Sequence, residues 1–170
     1  MDESSDGDPV RVVYDQSYRR LVTQLMALCG NLAEAEDIVQ EAFVTAMTHR
    51  RDFVEVSNKE AWLRTVAVNV LRNRWRRARV TARALPRFRA ELSIDLGPGT
   101  PEDHVALVYA LSQLRPPVRI TVVLHYIADL SVAQVAEELG VPEGTVKARL
   151  ARARVQMAEH LIDREEADHV

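Results

Sequence analysis

A chain of 170 residues, 47% apolar and 28% charged, can bury a core in one domain or two small ones and reads as a soluble protein. Its single cysteine, Cys29, excludes a disulfide framework and a CxxC metal pair, and the scarcity of Gly, Pro and aromatic residues favours helix over sheet. The net charge of −3 hides an asymmetry: residues 61–90 hold nine arginines and no acid, a local +9 against −12 elsewhere, which points to a nucleic-acid contact while the acidic surfaces face something else.

Residues 1–9 are polar and acidic, unlike a secretory signal, and are expected to form a disordered leader. Helical spacing of apolar residues runs from Val10 to about Arg50. It breaks at Gly30, after which Asn31-Leu32-Ala33-Glu34 resembles a capping box that restarts a helix through Met47. Arg51 to Val56 is expected to be a loop. Ser57-Asn58-Lys59-Glu60 reads as a second capping box, opening a helix from about Lys59 to Arg79. Leu85-Pro86 and Leu96-Gly97-Pro98-Gly99 then interrupt the pattern, so residues 81–99 are a predicted linker.

Thr100-Pro101-Glu102-Asp103 supplies an N-cap, a proline at the first helical position and an acidic first turn. Pro116-Pro117 ends that helix and begins another, running to about Ala128. Ser131 to Gln134 caps the next, Gly140 closes it and Pro142 opens the last. No repeat, β-alternation or long apolar run is present. The expected fold is all-α: two small helical domains, residues 10–80 and 100–162, joined by a flexible linker and followed by an acidic tail at 163–170. No membrane span is expected, and the expected location is cytoplasmic.

Leu130 to Leu150 reads as helix, tight turn, helix. Val132, Val135, Ala136 and Leu139 share one face of the first helix, while Val146, Leu150, Ala153, Met157 and Leu161 form the predicted buried stripe of the second. The opposite face carries Gly144, Thr145, Ala148, Ala151, Arg152 and Val155, flanked by Lys147 and Arg149. Small residues allow close approach to base edges, and the cations suit phosphates. In the helix at 59–79, Trp62, Leu63, Val66, Ala67 and Val70 make an apolar arc. Thr65, Asn69, Arg72, Arg76 and Arg79 gather on a polar one, with Asn73 at its border, and Asn and Arg together offer base-edge hydrogen bonds and phosphate neutralisation. Either helix alone could be no more than a solvated basic face. Two of them in separate domains point to contact with two DNA segments.

In this order the segments resemble a sigma factor of bacterial RNA polymerase, of the extracytoplasmic-function (ECF) group of the sigma-70 family, over residues 14–160. Ala35-Glu36-Asp37-Ile38-Val39-Gln40-Glu41-Ala42-Phe43 resembles the region 2 helix that docks on the polymerase. Ala61-Trp62-Leu63, with Val68-Asn69-Val70-Leu71-Arg72-Asn73-Arg74-Trp75-Arg76-Arg77, resembles the helix that melts and reads the −10 element. Leu114-Arg115-Pro116-Pro117 and the stretch from Leu130 to Arg154 resemble region 4, which reads the −35 element.

The resemblance implies that Glu36, Asp37, Gln40 and Glu41 contact the clamp helices of the β′ subunit. It implies that the loop near Phe53 to Asn58 receives an unstacked −10 base, with Asn69 and Asn73 nearby, and that Arg72, Arg76 and Arg77 hold the DNA backbone. Thr145, Lys147, Ala148, Arg149 and Arg152 would face the −35 element. Other implied partners are the β flap and an anti-sigma factor, with the weakly acidic linker lying along the active-site cleft and RNA exit path. Asn73 stands where many members have Asp, and Ala148 where Ser is common, so promoter preference does not transfer.

A stand-alone helix-turn-helix regulator is the alternative. It accounts for residues 100–160 but leaves the arginine belt and the Glu36 to Glu41 face idle. Enzymatic activity is not expected: His49, His104, His125, His160 and His169 are scattered, without metal-ligand spacing, phosphate loop or nucleophile motif, and no cofactor or metal is expected. The short stretch after the last helix is expected to leave no room for an added C-terminal sensor domain.

Overall fold

The computed structural model describes residues 7–80, 96 and 98–167, with side chains as far as Glu159. Among these residues every regular element is helical, and the chain divides into two compact units at Arg87/Phe88. The expected linker lies almost wholly outside the described residues.

In the first unit, α1 (Pro9–Cys29) begins earlier than the composition of residues 1–9 suggests. Asp8 is its N-cap, accepting from the Val10 N–H at 2.9 Å, with Pro9 preset for the first turn. Asp8 also accepts from Arg50 at 2.9 Å. The Val10 hydrogen bond foremost, helped by the hydrogen bond and charge of Arg50, holds the Asp8 carboxyl below its usual pKa against the opposing desolvation. Gly30 closes α1 in the left-handed region (φ 70°), where its N–H reaches the Met26 carbonyl at 2.8 Å. Asn31 then caps α2 (Leu32–Thr48), accepting from the Glu34 N–H.

The segment expected to be a loop is instead a short helix, α3 (Arg50–Glu55). It forms because Phe53 is fully buried, its ring edge-on to Trp62 with centroids 5.2 Å apart. One helical turn carries no readable periodicity, so tertiary burial rather than local pattern sets it. The cap of α4 (Lys59–Val80) also differs from expectation: Asn58, not Ser57, accepts from the Ala61 N–H at 3.0 Å.

The buried arc of α4 is Leu63, Arg64, Ala67, Val68 and Leu71. It is the expected arc advanced by one residue, a rotation of about 100°. Trp62, Val66 and Val70 are only half-buried. The rotation is possible because Arg64, 3% exposed, meets Glu60 at 3.6 Å and Gln24 at 3.4 Å, so its aliphatic stem can enter the core. Leu21, Leu25, Ile38, Val39, Leu63 and Leu71 fill that core, each stabilising it by about 1.5–3 kcal/mol. Ala35, Ala42, Ala46 and Ala67 let the helices pack closely.

In the second unit Thr100, the expected N-cap, forms a capping box with Asp103 at the start of α5 (Pro101–Gln113). Arg115 is extended ahead of Pro116, as steric conflict with the proline ring requires. The helix after it has two parts: α6 (Pro116–Val122) continues into a π-helical turn, Val123–Ile127, ended by the Ala128 N–H on the Val123 carbonyl. Asp129 follows at φ 56°, and His125 Nδ1 lies 2.7 Å from the Leu130 carbonyl. Ser131 and Gln134 make a second capping box on α7 (Val132–Leu139). Gly140, at φ 63°, ends α7, and α8 (Glu143–Ala167) begins directly after Pro142. The helix thus continues through most of the segment expected to be an acidic tail.

Candidate nucleic-acid interface

Helices α7 and α8 are locked by shared burial. Val135, Ala136, Val146, Leu150 and Ala153 are each at most 7% exposed. Met157, expected on the same stripe, is half-buried, and Leu161 lies beyond the described side chains. With one side of α8 fixed inward, the other is fixed outward: Gly144, Lys147, Ala148, Ala151, Arg152, Arg154 and Val155 are exposed, and Thr145 and Arg149 are half-exposed. At ~100° per residue, Gly144, Ala148, Ala151 and Val155 fall within about 50° of the outward midline. Thr145 and Arg152 flank it on one side and Lys147 on the other, while Arg154, whose Nε donates to the Leu150 carbonyl at 3.3 Å, sits further round towards the core. Arg149 sits further round, beside Thr145 and towards the core.

In the first unit, Asn69, Asn73 and Arg76 are exposed on α4 opposite its buried arc, Arg77 and Arg79 are exposed at its borders, and Thr65 and Arg72 are half-exposed. Arg76 donates to the Asn73 side-chain oxygen, so these two expected base or phosphate contacts already form one hydrogen-bonded pair. The arginine belt is less uniform than its composition. Arg64 is buried against Glu60, and Arg74 is held by Asp37 at 2.5 Å and Glu41 at 3.1 Å. Partial burial would lower the pKa of Arg74, but these two acids outweigh it and raise it. Arg83, Arg87 and Arg89 lie outside the described residues. Arg72, Arg76, Arg77 and Arg79 remain as the outward cations of α4 among the described residues.

Phe53 does not lie in the expected base-receiving loop, because it is core; only Val56, Ser57 and Asn58 separate α3 from α4. On α2, Asp37, Gln40 and Glu41 are exposed and Glu36 half-exposed. Asp37 and Glu41 keep side-chain exposures of 64% and 53% despite their pairing with Arg74, so the acidic face survives as a surface. Tyr18 hydrogen-bonds with Gln40, and burial raises its pKa.

Comparison with known proteins matches this division. The model of Sigma-70 region 2 covers residues 13–81, and that of Sigma-70 region 4 covers residues 104–157. The chain is 33% identical over 153 residues to the ECF RNA polymerase sigma factor SigL of Mycobacterium tuberculosis, spanning 83% of this chain and 82% of that protein. The chain belongs to the ECF group of the sigma-70 family.

This sigma factor therefore acts with RNA polymerase in promoter-specific initiation of transcription, and the region 2 match removes the reading as a stand-alone regulator. Members of this family are initiation factors without catalysis of their own. SigM of the same organism is 32% identical over 157 residues, covering 89% of this chain and 78% of that protein. The sigma factor RpoE of Bartonella quintana, solved in complex with the anti-sigma factor NepR, superimposes with a TM-score of 0.71 at 26% identity over 89% of this chain and 97% of that one. Among the described residues no helix is long and apolar enough to cross a membrane.

Two features of the site escaped the sequence. Val44 and Met47, 59% and 63% exposed, continue the outward side of α2 beyond Glu41. Their spacing was legible, but the helix amphipathicity assigned them no side. The second is Glu60, which joins α1 to α4 through Ser17, Arg20 and Arg64. The sequence marked Glu60 only as a capping-box residue, with the i,i+4 spacing to Arg64 as a further local clue.

Proposed function

We propose that α8 and α4 are the two promoter grips of this sigma factor and that α2 is its polymerase dock. The carrying observation is the outward side of α8, where residues without polar side chains run between exposed cations. Thr145, Lys147, Ala148, Arg149 and Arg152 face the −35 element, entering the major groove by the helix N-terminal half. Asn69 and Asn73 serve the −10 element from α4, and Arg72, Arg76 and Arg77 hold its backbone.

Glu36, Asp37, Gln40 and Glu41, extended by the exposed Val44 and Met47, form the surface for the polymerase core at the β′ clamp helices. The second unit meets the β flap. Arg74 sits between the dock and the DNA-facing side of α4, trimming the charge of the acidic face without covering it. An anti-sigma factor is a further partner, supported by the similar RpoE chain having been solved with one.

Transcription in vitro with core polymerase over genomic fragments tests this reading. Arg149→Ala with Arg152→Ala should weaken initiation at promoters that depend on the −35 element while leaving core binding intact. Loss of core binding in that variant, or unchanged promoter use, would overturn the assignment.

A further inference from the structure

Leu71 is the last fully buried residue of α4, and Arg74 lies one turn beyond it. At ~100° per residue Arg74 falls within about 50° of the middle of the buried arc, while Asn69, Asn73 and Arg76 point the other way. Its guanidinium therefore extends to α2 rather than to the outward side of α4. There one nitrogen, Nη2, meets Asp37 at 2.5 Å and Glu41 at 3.1 Å.

Asp37 and Glu41 stand four residues apart on α2, a spacing at which like charges repel, and the shared guanidinium offsets that repulsion. Yet the two carboxylates stay 64% and 53% exposed, and the Arg74 side chain itself is 31% exposed. The pairing is open on its outer side. A cation brought to these acids by a partner would stop within about 6 Å of the guanidinium, inside the ~8 Å screening length of physiological salt.

We infer that Arg74 is a built-in competitor for the polymerase dock, occupying Asp37 and Glu41 in the free protein and so lowering its affinity for the polymerase core. The inference rests on α2 being the dock and adds what sets the strength of that contact. A strut tying α4 to α2 would use the same two ion pairs but has the opposite sign. Removing a strut weakens both fold and binding. Removing a competitor costs a little stability and tightens binding.

The test titrates the full-length protein with core polymerase and melts each variant alone. Arg74→Gln should lower the melting midpoint by about 1–6 °C and tighten core binding about two- to fivefold. Arg74→Lys keeps the charge, so its core affinity should stay within about twofold of wild type. The gain in Arg74→Gln should narrow as salt is raised, since exposed charges are screened. Asp37→Asn with Glu41→Gln should weaken core binding about tenfold, and adding Arg74→Gln to that pair should change nothing further. Unchanged or weaker core binding in Arg74→Gln overturns the competitor while the dock stands. So does a gain that the lysine variant shares, that salt leaves intact or that survives loss of both acids. Core binding indifferent to removal of both acids overturns the dock itself.

Discussion

Replacing Glu60 by Gln isolates one charge at the join between α1 and α4. Glu60 accepts from Ser17 Oγ at 3.0 Å and Arg20 Nη2 at 2.5 Å, and lies 3.6 Å from Arg64 Nη1. Arg20 is 60% exposed and can return to water, and an amide oxygen can still accept from Ser17. The loss therefore falls on Arg64, whose side chain is 4% exposed. Breaking a buried pair costs about 3–5 kcal/mol. Because Gln24 also accepts from Arg64 and Glu60 itself is 24% exposed, about 2 kcal/mol is expected. For a unit of this size that lowers the melting midpoint by about 8–16 °C.

Both tryptophans, Trp62 and Trp75, lie on α4, so intrinsic fluorescence follows the first unit selectively. The pH dependence is a second readout. Partial burial pushes the Glu60 pKa up, but the hydrogen bonds from Arg20 and Ser17 and the charges of Arg20 and Arg64 outweigh it and hold it below the usual 4.5. A depressed carboxylate stabilises fully above its unfolded pKa and loses that contribution as pH falls through the folded value. The gap between wild type and Glu60→Gln should thus be full at neutral pH and shrink in acid below 4.5. A midpoint shift under about 2 °C at pH 7, or a gap that persists in acid, would refute the reasoning.

Phe53→Ala should destabilise the first unit by about 3–5 kcal/mol in denaturant titration; a stable variant defective only in promoter opening would instead restore Phe53 to a base-binding role. Gly144→Ala should stabilise α8 by about 0.5 kcal/mol, yet weaken upstream DNA binding by crowding the groove. Thermal melting and a duplex binding assay check the two signs, and unchanged DNA affinity would refute close approach at that turn. Burial pushes the Cys29 thiol up to about 12, so its alkylation at pH 8 should be at least a hundredfold slower in the native protein than in denaturant. Equal rates would show that the thiol of this half-buried residue is not shielded by the fold.

The caps and breakers were legible in the sequence because their physics is local. Gly30, Asn31, Thr100 with Asp103, Ser131 with Gln134 and Gly140 each act within four residues of chain, and each fixes a boundary in the structure where the sequence placed it. The stripe of Val146, Leu150 and Ala153 was equally legible, since a period of 3.6 residues suffices to turn the basic side of α8 outward. Between them these signals determined an all-α chain with a helix-turn-helix and a second basic helix.

Tertiary structure decided what local pattern could not rank. Arg64 looked like one more cation of the belt, and only its partners on α1 and at Glu60 make it a core residue and rotate the buried arc of α4. Phe53 looked like loop, and only the Trp62 ring makes it part of a helix. Arg74 read only as one more arginine of the belt, and the spacing of α2 from α4 hands it to Asp37 and Glu41. A charge enters or leaves a surface according to partners 30 to 40 residues away, because desolvation is offset only where the opposite charge is brought into reach.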